Sequence, residues 1–347
     1  MRKVKIAIIG LNYFSHAYGI LLSLEYLSDV FEIVGYTLPE NEREKFPEYA
    51  EKYTKYPELT LDEILNNPEI EAVAVETEEI YLTKYATLAA LHGKHIHMEK
   101  PGGIGLADFE TLIEAVKKGG KTFHTGYMYR YNPYVQDLLK KVRSGELGDI
   151  ISVEAQMNCF NTEKIREWLK TFPGGMMFYL GCHLVDLILQ IQGEPENIIP
   201  LNRSTGYLGV NSEDFGMAIF EYKNGISFAK ASAVEVGGFT RRQLVVTGTK
   251  ATVELKPIEM FTPINTGVQS QYTDRVTYTA PTPWGDRGIA ERSEIYDRYN
   301  VMMESFAQMI RGEKANPFTP EYELILYKNL LKACGVESKV AFGNYIK

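Results

Sequence analysis

Gly10-Leu11-Asn12-Tyr13-Phe14-Ser15 stands where a β-branched run over residues 3–9 gives way to a helical pattern over residues 14–27. A strand that turns sharply into a helix leaves backbone N–H groups free at the helix start, and these can donate to a phosphate. In the dinucleotide fingerprint G-x-G-x-x-G, the second glycine lets pyrophosphate approach and the third lets helix and strand pack closely. Asn12 and Ser15 fill those two places here. Asn tolerates left-handed backbone and Ser is small, so the turn can form, with phosphate approach more crowded. An acid usually ends the second strand to hold the adenosine ribose. This chain reads Tyr36-Thr37-Leu38-Pro39, with no acid before Glu40, and Arg43 is the nearest cation for a 2′-phosphate. Thr37 is read as a weaker ribose contact, and either NAD or NADP is expected, with NAD ahead. Farther along, Lys100 places an ammonium in the turn Glu99-Lys100-Pro101, directly after a strand over residues 95–98. Tyr179 and His183 are four residues apart and share one face if that stretch is helical. A phenol, with a reference pKa of about 10, is a neutral donor at pH 7. His95 and His97 alternate on a strand with no third ligand placed, so no metal is expected.

These residues need elements to hold them. Residues 1–126 alternate short β-branched runs with helical patterns, which is the signature of βαβ units around a parallel sheet. They are read as an N-terminal Rossmann dinucleotide-binding domain. From about residue 149 the runs lengthen and alternate, over 150–158, 215–222, 226–234, 242–247 and 251–255. Residues 127–347 are therefore read as a C-terminal α/β domain with an open, mostly antiparallel sheet and one face available for a partner. One helix is expected over 176–192 and two more over 294–311 and 320–333. Residues 257–292, rich in Thr, Pro, Gly and Tyr, are expected to be a long loop. The overall fold class is α/β.

The chain has 347 residues, with 45% hydrophobic and 24% charged side chains and a formal net charge of −8. That is ordinary globular composition, and the acidic balance disfavours nucleic acid and anionic lipid as partners. No apolar run approaches the roughly 20 residues of a membrane span. Cys159, Cys182 and Cys334 have no metal or disulfide spacing, and the start carries no signal-like apolar segment. A cytoplasmic, reduced protein is expected.

Glu99-Lys100-Pro101, Gly126-Tyr-Met-Tyr-Arg130-Tyr-Asn-Pro133 and Gly181-Cys-His183-Leu-Val-Asp186, in that order and spacing, resemble the Gfo/Idh/MocA oxidoreductase family. The resemblance covers nearly the whole chain. It implies hydride exchange between NAD(P) and a sugar, polyol or similar small molecule, with dimer or tetramer contacts through the open sheet. In the family pattern the lysine of the EKP turn is the site cation, and D-x-G-x-H supplies a carboxylate and a histidine. Lys100 and His183 match, whereas Tyr179 stands where the carboxylate belongs. Lys100, His183 and Tyr179 are thus the expected catalytic residues, with Lys100 lowering the Tyr179 pKa as one alternative. The resemblance also places the cofactor beside Gly10, Asn12, Tyr13, Phe14, Thr37, Glu76, Thr77, Glu78, Glu99 and Lys100. A Thr-Pro pair is common after the third strand; here Thr77 matches and Glu78 replaces the proline. Glu76, Glu78 and Glu79 should weaken dinucleotide binding unless they turn outward. Arg130, Tyr131, Trp168, Tyr179 and His183 are the candidate substrate residues, and Asp186 is read as structural, paired within its helix or with Arg130. An NAD(P)-dependent oxidoreductase is the leading expectation. A cofactor-recycling glycoside-cleaving or eliminating enzyme, and a redox-inactive ligand-binding or regulatory protein, stand as alternatives.

Overall fold

The computed structural model describes residues 2–262, 270–281 and 284–336. Its first half runs β1 (Val4–Ile9), α1 (Ala17–Tyr26), β2 (Phe31–Thr37), α2 (Glu42–Lys45), α3 (Pro47–Ala50), α4 (Leu61–Asn66), β3 (Ala72–Val75), α5 (Leu82–Leu91), β4 (His95–Met98), α6 (Leu106–Gly119) and β5 (Phe123–Thr125). The five strands form one parallel sheet in the order β2-β1-β3-β4-β5. Helices cover both faces, so the strands are apolar on both sides; all four residues of β3 are buried. Strand order reverses at β1, between β2 and β3, which opens a crevice at the carboxyl ends of the strands. The turn carrying Gly10, the residues after Val75 and the Lys100 turn all meet at that edge. α1 starts at Ala17, three residues later than the apolar pattern indicates, because residues 13–16 are spent in the turn.

The second half contains α7 (Pro133–Arg143), β6 (Ile150–Asn158), α8 (Glu163–Trp168), a π-turn (Met177–Gly181), α9 (Cys182–Gln192), β7 (Asn197–Pro200), β8 (Phe215–Tyr222), β9 (Gly225–Ser232), β10 (Gln243–Gly248) and β11 (Thr252–Leu255). Then come β12 (Met260–Phe261), β13 (Ser270–Tyr272), β14 (Asp274–Tyr278), β15 (Ile289–Arg292), β16 (Tyr296–Asp297), α10 (Arg298–Ile310) and α11 (Pro320–Ala333). An eight-stranded sheet has the order β15-β14-β11-β10-β6-β9-β8-β7. Within it the β6–β9 pair is parallel and the other pairs are antiparallel. Its inner face, with Val153, Ala155, Phe220, Ala229 and Leu244 buried, packs on α9 and α11.

Two expectations are corrected. Residues 257–292 are not one loop: they supply β12 to β15, and β14 extends the large sheet against β11. The Thr and Tyr that, with Pro and Gly, gave the segment a loop-like composition are strand formers once they alternate. Residues 263–269 and 282–283 of that segment lie outside the described residues. The expected helix over 176–192 is a π-turn followed by α9, so Tyr179 and His183 lie on different windings and not on one α-helical face. α10 and α11 return to the first sheet. A side-chain carbon on Gly19 of α1 would lie 2.6 Å from the Tyr299 ring, and Phe109 of α6 stacks on Tyr327 at 4.2 Å.

Candidate active site

Gly10 has φ +96°, and a Cβ there would lie 2.4 Å from the backbone nitrogen of Thr77, so only glycine lets the first turn close on the segment after β3. Glu42, from α2, completes that junction. Leu11 N–H donates to its Oε2 at 2.8 Å, and Thr77 Oγ1 donates to its Oε1 at 2.6 Å. Its carboxyl is fully buried, and burial pushes its pKa up to about 8, against the opposing pull of these hydrogen bonds. Asn12 makes the turn rigid: its Nδ2 donates to Glu79 at 2.7 Å, its N–H donates to the Glu76 carbonyl at 2.9 Å, and its Oδ1 accepts Phe14 N–H at 3.0 Å. The Thr37 carbonyl accepts Gly10 N–H at 2.9 Å. Tyr13 stays at the surface, its ring edge-on to Tyr49 at 4.8 Å.

Glu76 and Glu79 do not turn outward. Both are fully buried, and burial raises the Glu79 pKa to about 8 and that of Glu76 well above the carboxylate range. Protonation is how the fold tolerates them beside Glu99. Glu78 pairs with Lys45 at 2.8 Å. Arg43, the cation expected for a 2′-phosphate, is held by Glu58 at 2.6 Å, and Lys84 by Glu40 at 2.7 Å.

Lys100 is buried at the end of β4. Its Nζ donates to the Tyr179 carbonyl at 3.0 Å, lies 3.7 Å from Glu99 Oε1 and sits 4.6 Å from the centre of the Tyr179 ring. Burial works against ionising Glu99, yet the His16 contact at 2.9 Å and the Lys100 charge hold its pKa below the usual range. The Tyr179 hydroxyl donates to the Phe14 carbonyl at 2.5 Å. Burial, with Glu79 and Glu99 adding to it, pushes the phenol well above its ordinary pKa. The Tyr179 hydroxyl thus stands as a donor to Phe14, with its pKa held above rather than below the ordinary phenol value. Trp168 packs against Phe14, Phe172 and Tyr179 at 4.8, 4.7 and 5.1 Å, so it ties the first turn to the second domain.

His183 is buried edge-on to Tyr127 and Tyr129 at 5.6 and 5.0 Å, and neither ring nitrogen has a hydrogen-bond partner among the described residues. Burial, reinforced by Lys100, holds its pKa well below that of ordinary imidazole. Beyond it lies a polar wall that no motif marked. Arg242 and Arg298 both donate to Glu259 at 2.8 Å, and Tyr129 donates to the same carboxylate. Asn158 is buried there with both side-chain polar atoms unpaired, and the Arg242 Nε donates to its carbonyl at 3.3 Å. β6, α10 and loops, one of them the approach to β10, bring these residues together, which no local spacing could signal.

Arg130 and Tyr131, read as cleft residues, have partners of their own inside the protein. Arg130 bridges Glu323 at 2.6 Å and Asp186 at 2.9 Å, and the Tyr131 hydroxyl meets His124 Nε2 at 2.7 Å. Among the described residues, no group of His, Cys, Asp and Glu could hold a metal, and no helix is long and apolar enough to cross a membrane.

The donor set at the crevice suits the oxygen-rich half of a dinucleotide. A backbone N–H and a hydroxyl converge on one point where the Glu42 carboxyl stands in for the acceptor, and the Gly10 turn is open only to backbone. The residues fit such a group, which must compete with Glu42 for those donors.

Residues 4–127 match the sequence profile described as the oxidoreductase family with an NAD-binding Rossmann fold, and residues 135–254 match the GFO/IDH/MocA C-terminal domain. Among curated proteins, the chain is 25% identical over 224 residues to the 2,7-anhydro-N-acetylneuraminate hydratase of Escherichia coli K12, covering 61% of this chain and 59% of that one. It is 31% identical over 142 residues to the uncharacterized oxidoreductase YhhX of the same organism, covering 40% of each. The matches thus span less than two thirds of either relative. Across solved structures, the aldose-aldose oxidoreductase of Caulobacter crescentus superimposes with a TM-score of 0.75 at 20% identity, over 96% of this chain and 98% of that one, which shows a shared fold. With both profiles matched in order, the chain belongs to the Gfo/Idh/MocA oxidoreductase family and carries its NAD-binding Rossmann fold.

Proposed function

We propose that the protein is an NAD(P)-dependent oxidoreductase that interconverts a hydroxyl and a carbonyl on a small carbohydrate-like molecule. The observation that carries this reading is the buried Lys100 Nζ, backed by Glu99 at 3.7 Å and set at the crevice edge near a neutral His183. An ammonium offers three donors, and the Tyr179 carbonyl takes one of them, so Lys100 can also hold a reacting oxygen and stabilise developing alkoxide charge. His183, with both nitrogens unpaired, orients the substrate hydroxyl and accepts its proton. Nicotinamide, when bound, supplies the two-electron exchange as hydride. Gly10, Leu11, Thr37 and Thr77 would hold the adenosine and phosphate end once Glu42 gives up their donors, and Phe14 and Glu99 would flank the other. NAD is favoured over NADP because Arg43, Lys45 and Lys84 are each already paired with a glutamate. The relatives named above, an anhydro-sugar-acid hydratase and an aldose-aldose oxidoreductase, point toward carbohydrates.

A second reading has its own support. Tyr179 replaces the implied carboxylate with a phenol held neutral, and one relative is named a hydratase of an anhydro sugar acid. Transient oxidation beside a leaving group, with hydride returned, would give no net reduction. Melting the protein with excess NAD+, NADH, NADP+ and NADPH tests both readings. At about a hundred times the dissociation constant, binding adds about 2.7 kcal/mol of stability. If none of the four raises the melting temperature, both readings fall. Absorbance of reduced nicotinamide against a sugar and polyol panel then separates net redox from recycling. Lys100→Ala should lower kcat/KM by at least about a hundredfold in either case.

A further inference from the structure

The chemistry proposed above leaves the polar wall beyond His183 unused. Three donors close around Glu259: Arg242 Nη1 at 2.8 Å and the Tyr129 hydroxyl on Oε1, and Arg298 Nη1 at 2.8 Å on Oε2. Burial works against that carboxylate, yet Arg298 and Arg242 hold its pKa below the ordinary value, so it is an anion at neutral pH. Both of its oxygens are engaged, which fixes Arg242 in place and leaves the rest of that guanidinium to other partners. Arg242 Nη1 also donates to the Tyr129 hydroxyl at 3.2 Å, and Nε donates to the Asn158 carbonyl at 3.3 Å. Nη2 carries two further N–H groups and, among the described residues, donates to no oxygen.

Two buried side chains beside it are also incomplete. Asn158, at the end of β6, is fully buried with its amide nitrogen and oxygen both unpaired, and neither ring nitrogen of the buried His183 has a partner. A buried polar group without a partner is destabilising until a ligand completes it. Tyr129 joins the two places: its ring stands edge-on to His183 at 5.0 Å and its hydroxyl meets Arg242 and Glu259. Burial lowers the His183 pKa, and the charges of Lys100, Arg298 and Arg242 lower it further, so positive potential spans this side of the site. At the outer end, Phe239 lies over the Arg242 guanidinium at 4.0 Å and stacks on Phe261 at 5.2 Å, and Phe261 is 38% exposed. The wall therefore runs from the imidazole to the protein surface.

We propose that Arg242 and Asn158 form an acid-recognising subsite, and that the substrate is a sugar acid whose carboxylate is held there while a hydroxyl farther along its chain meets His183 and Lys100. The proposal rests on the oxidoreductase reading and names its substrate class. The donors and acceptors match such a molecule. A carboxylate accepts from Arg242 Nη2 and Asn158 Nδ2, and Asn158 Oδ1 takes the hydroxyl next to it. One guanidinium edge and one amide suit a monoanion, whereas a phosphate ester brings more charge and more oxygens than this pair can satisfy.

Calorimetry on the full chain, without dinucleotide and again with millimolar NADH, compares glucuronate, galacturonate, gluconate and galactonate with glucose, galactose, glucitol and galactitol, and with glucose 6-phosphate. An acid should bind at least about tenfold more tightly than its uncharged counterpart, the effect of one charge-assisted pair. Arg242→Gln should remove that preference, with Glu259 still held by Arg298 and Tyr129. Asn158→Leu replaces an unpaired amide with an apolar side chain of similar size. It should raise the melting temperature of the unliganded protein and weaken the acid, a split that a purely structural asparagine would not give. The subsite is overturned if no acid is preferred over its counterpart, if the preference survives Arg242→Gln, if Asn158→Leu leaves acid binding unchanged, or if glucose 6-phosphate outdoes every acid. Failure of the oxidoreductase reading shows separately, as an acid preference in a protein that none of the four dinucleotides stabilises.

Discussion

Glu42 is the residue on which dinucleotide binding turns. Its carboxyl holds the same N–H and hydroxyl that a bound cofactor needs, and its pKa of about 8 makes the competition depend on pH. Below pH 8 the carboxyl is protonated and releases its donors easily. Above it, the carboxylate grips them more strongly and repels phosphate. The dissociation constant for NAD+ should therefore rise at least tenfold between pH 7 and 9, as read by calorimetry, and Glu42→Gln should flatten that rise. Stability follows the same proton. Between the ordinary carboxyl value of 4.5 and about 8, the folded chain keeps a proton on Glu42 that the unfolded chain has lost, so stability falls as pH rises through that window. His97, His124 and His183, whose pKa values are lowered, contribute stability that is lost as pH falls below about 6.5. Glu76 and Glu79, raised in the same way, add to the fall, so the share of Glu42 is read over pH 6.5 to 8 as the difference in slope between the wild type and Glu42→Gln. A wild-type melting temperature that does not fall there, or a variant that falls as steeply, would refute the role. Nothing local marks Glu42 in the sequence. It sits among Glu40, Glu44 and Glu48 in a stretch that looks solvated, and only the return of α2 onto the first turn buries it. Lys100 was legible because a strand, a charged pair and a proline coincide at one turn.

Elements defined by period and punctuation could be read. β6 and β8 match their alternating runs residue for residue, and α11 matches its Pro-initiated span. The segment over 176–192 could not be divided by pattern, because it is apolar almost all round and a π-turn changes the winding without changing composition. α7 and α8 are short amphipathic helices lying between motifs, so the motif spacing hid them. Arg130 shows the same limit: its type suits a substrate cleft, but the turn at residues 128–131 carries it between α9 and α11. There it supplies the cation for Asp186 of α9 and Glu323 of α11, with its guanidinium 3.8 Å from the Phe318 ring centre. Arg130→Ala leaves two carboxylates buried without their cation, a loss on the order of 3–5 kcal/mol. A lower urea midpoint with unchanged slope is the expected result. Arg130→Lys should recover only part of it, because one ammonium cannot reproduce the forked contacts. Wild-type stability in the alanine variant would mean that the three residues do not act as a unit.

At the scale of the whole molecule, the outer face of the large sheet has the pattern of a contact surface. Strand register lines up Ile199, Ile219, Phe228, Glu154, Val245, Glu254 and Val276 across seven strands, from β7 to β14. The inner face is covered by α9 and α11, whereas every side chain of this row keeps some exposure to solvent. Three apolar side chains at one end, followed by glutamates alternating with valines, describe a face that is half core and half surface. An exposed apolar patch of this kind marks an interaction site, and a second copy of the same face is self-complementary under two-fold symmetry. We therefore expect a homo-oligomer built through this sheet. Phe228→Glu places a charge in the apolar part of the row and opposite Glu154, so it should dissociate the assembly by desolvation and like-charge repulsion together. Light scattering on a sizing column should give at least twice the chain mass for the wild type and the single-chain mass for the variant, with NAD+ affinity retained. A wild type that elutes as a monomer at tens of micromolar, or a variant that stays assembled, would remove this face from the interface.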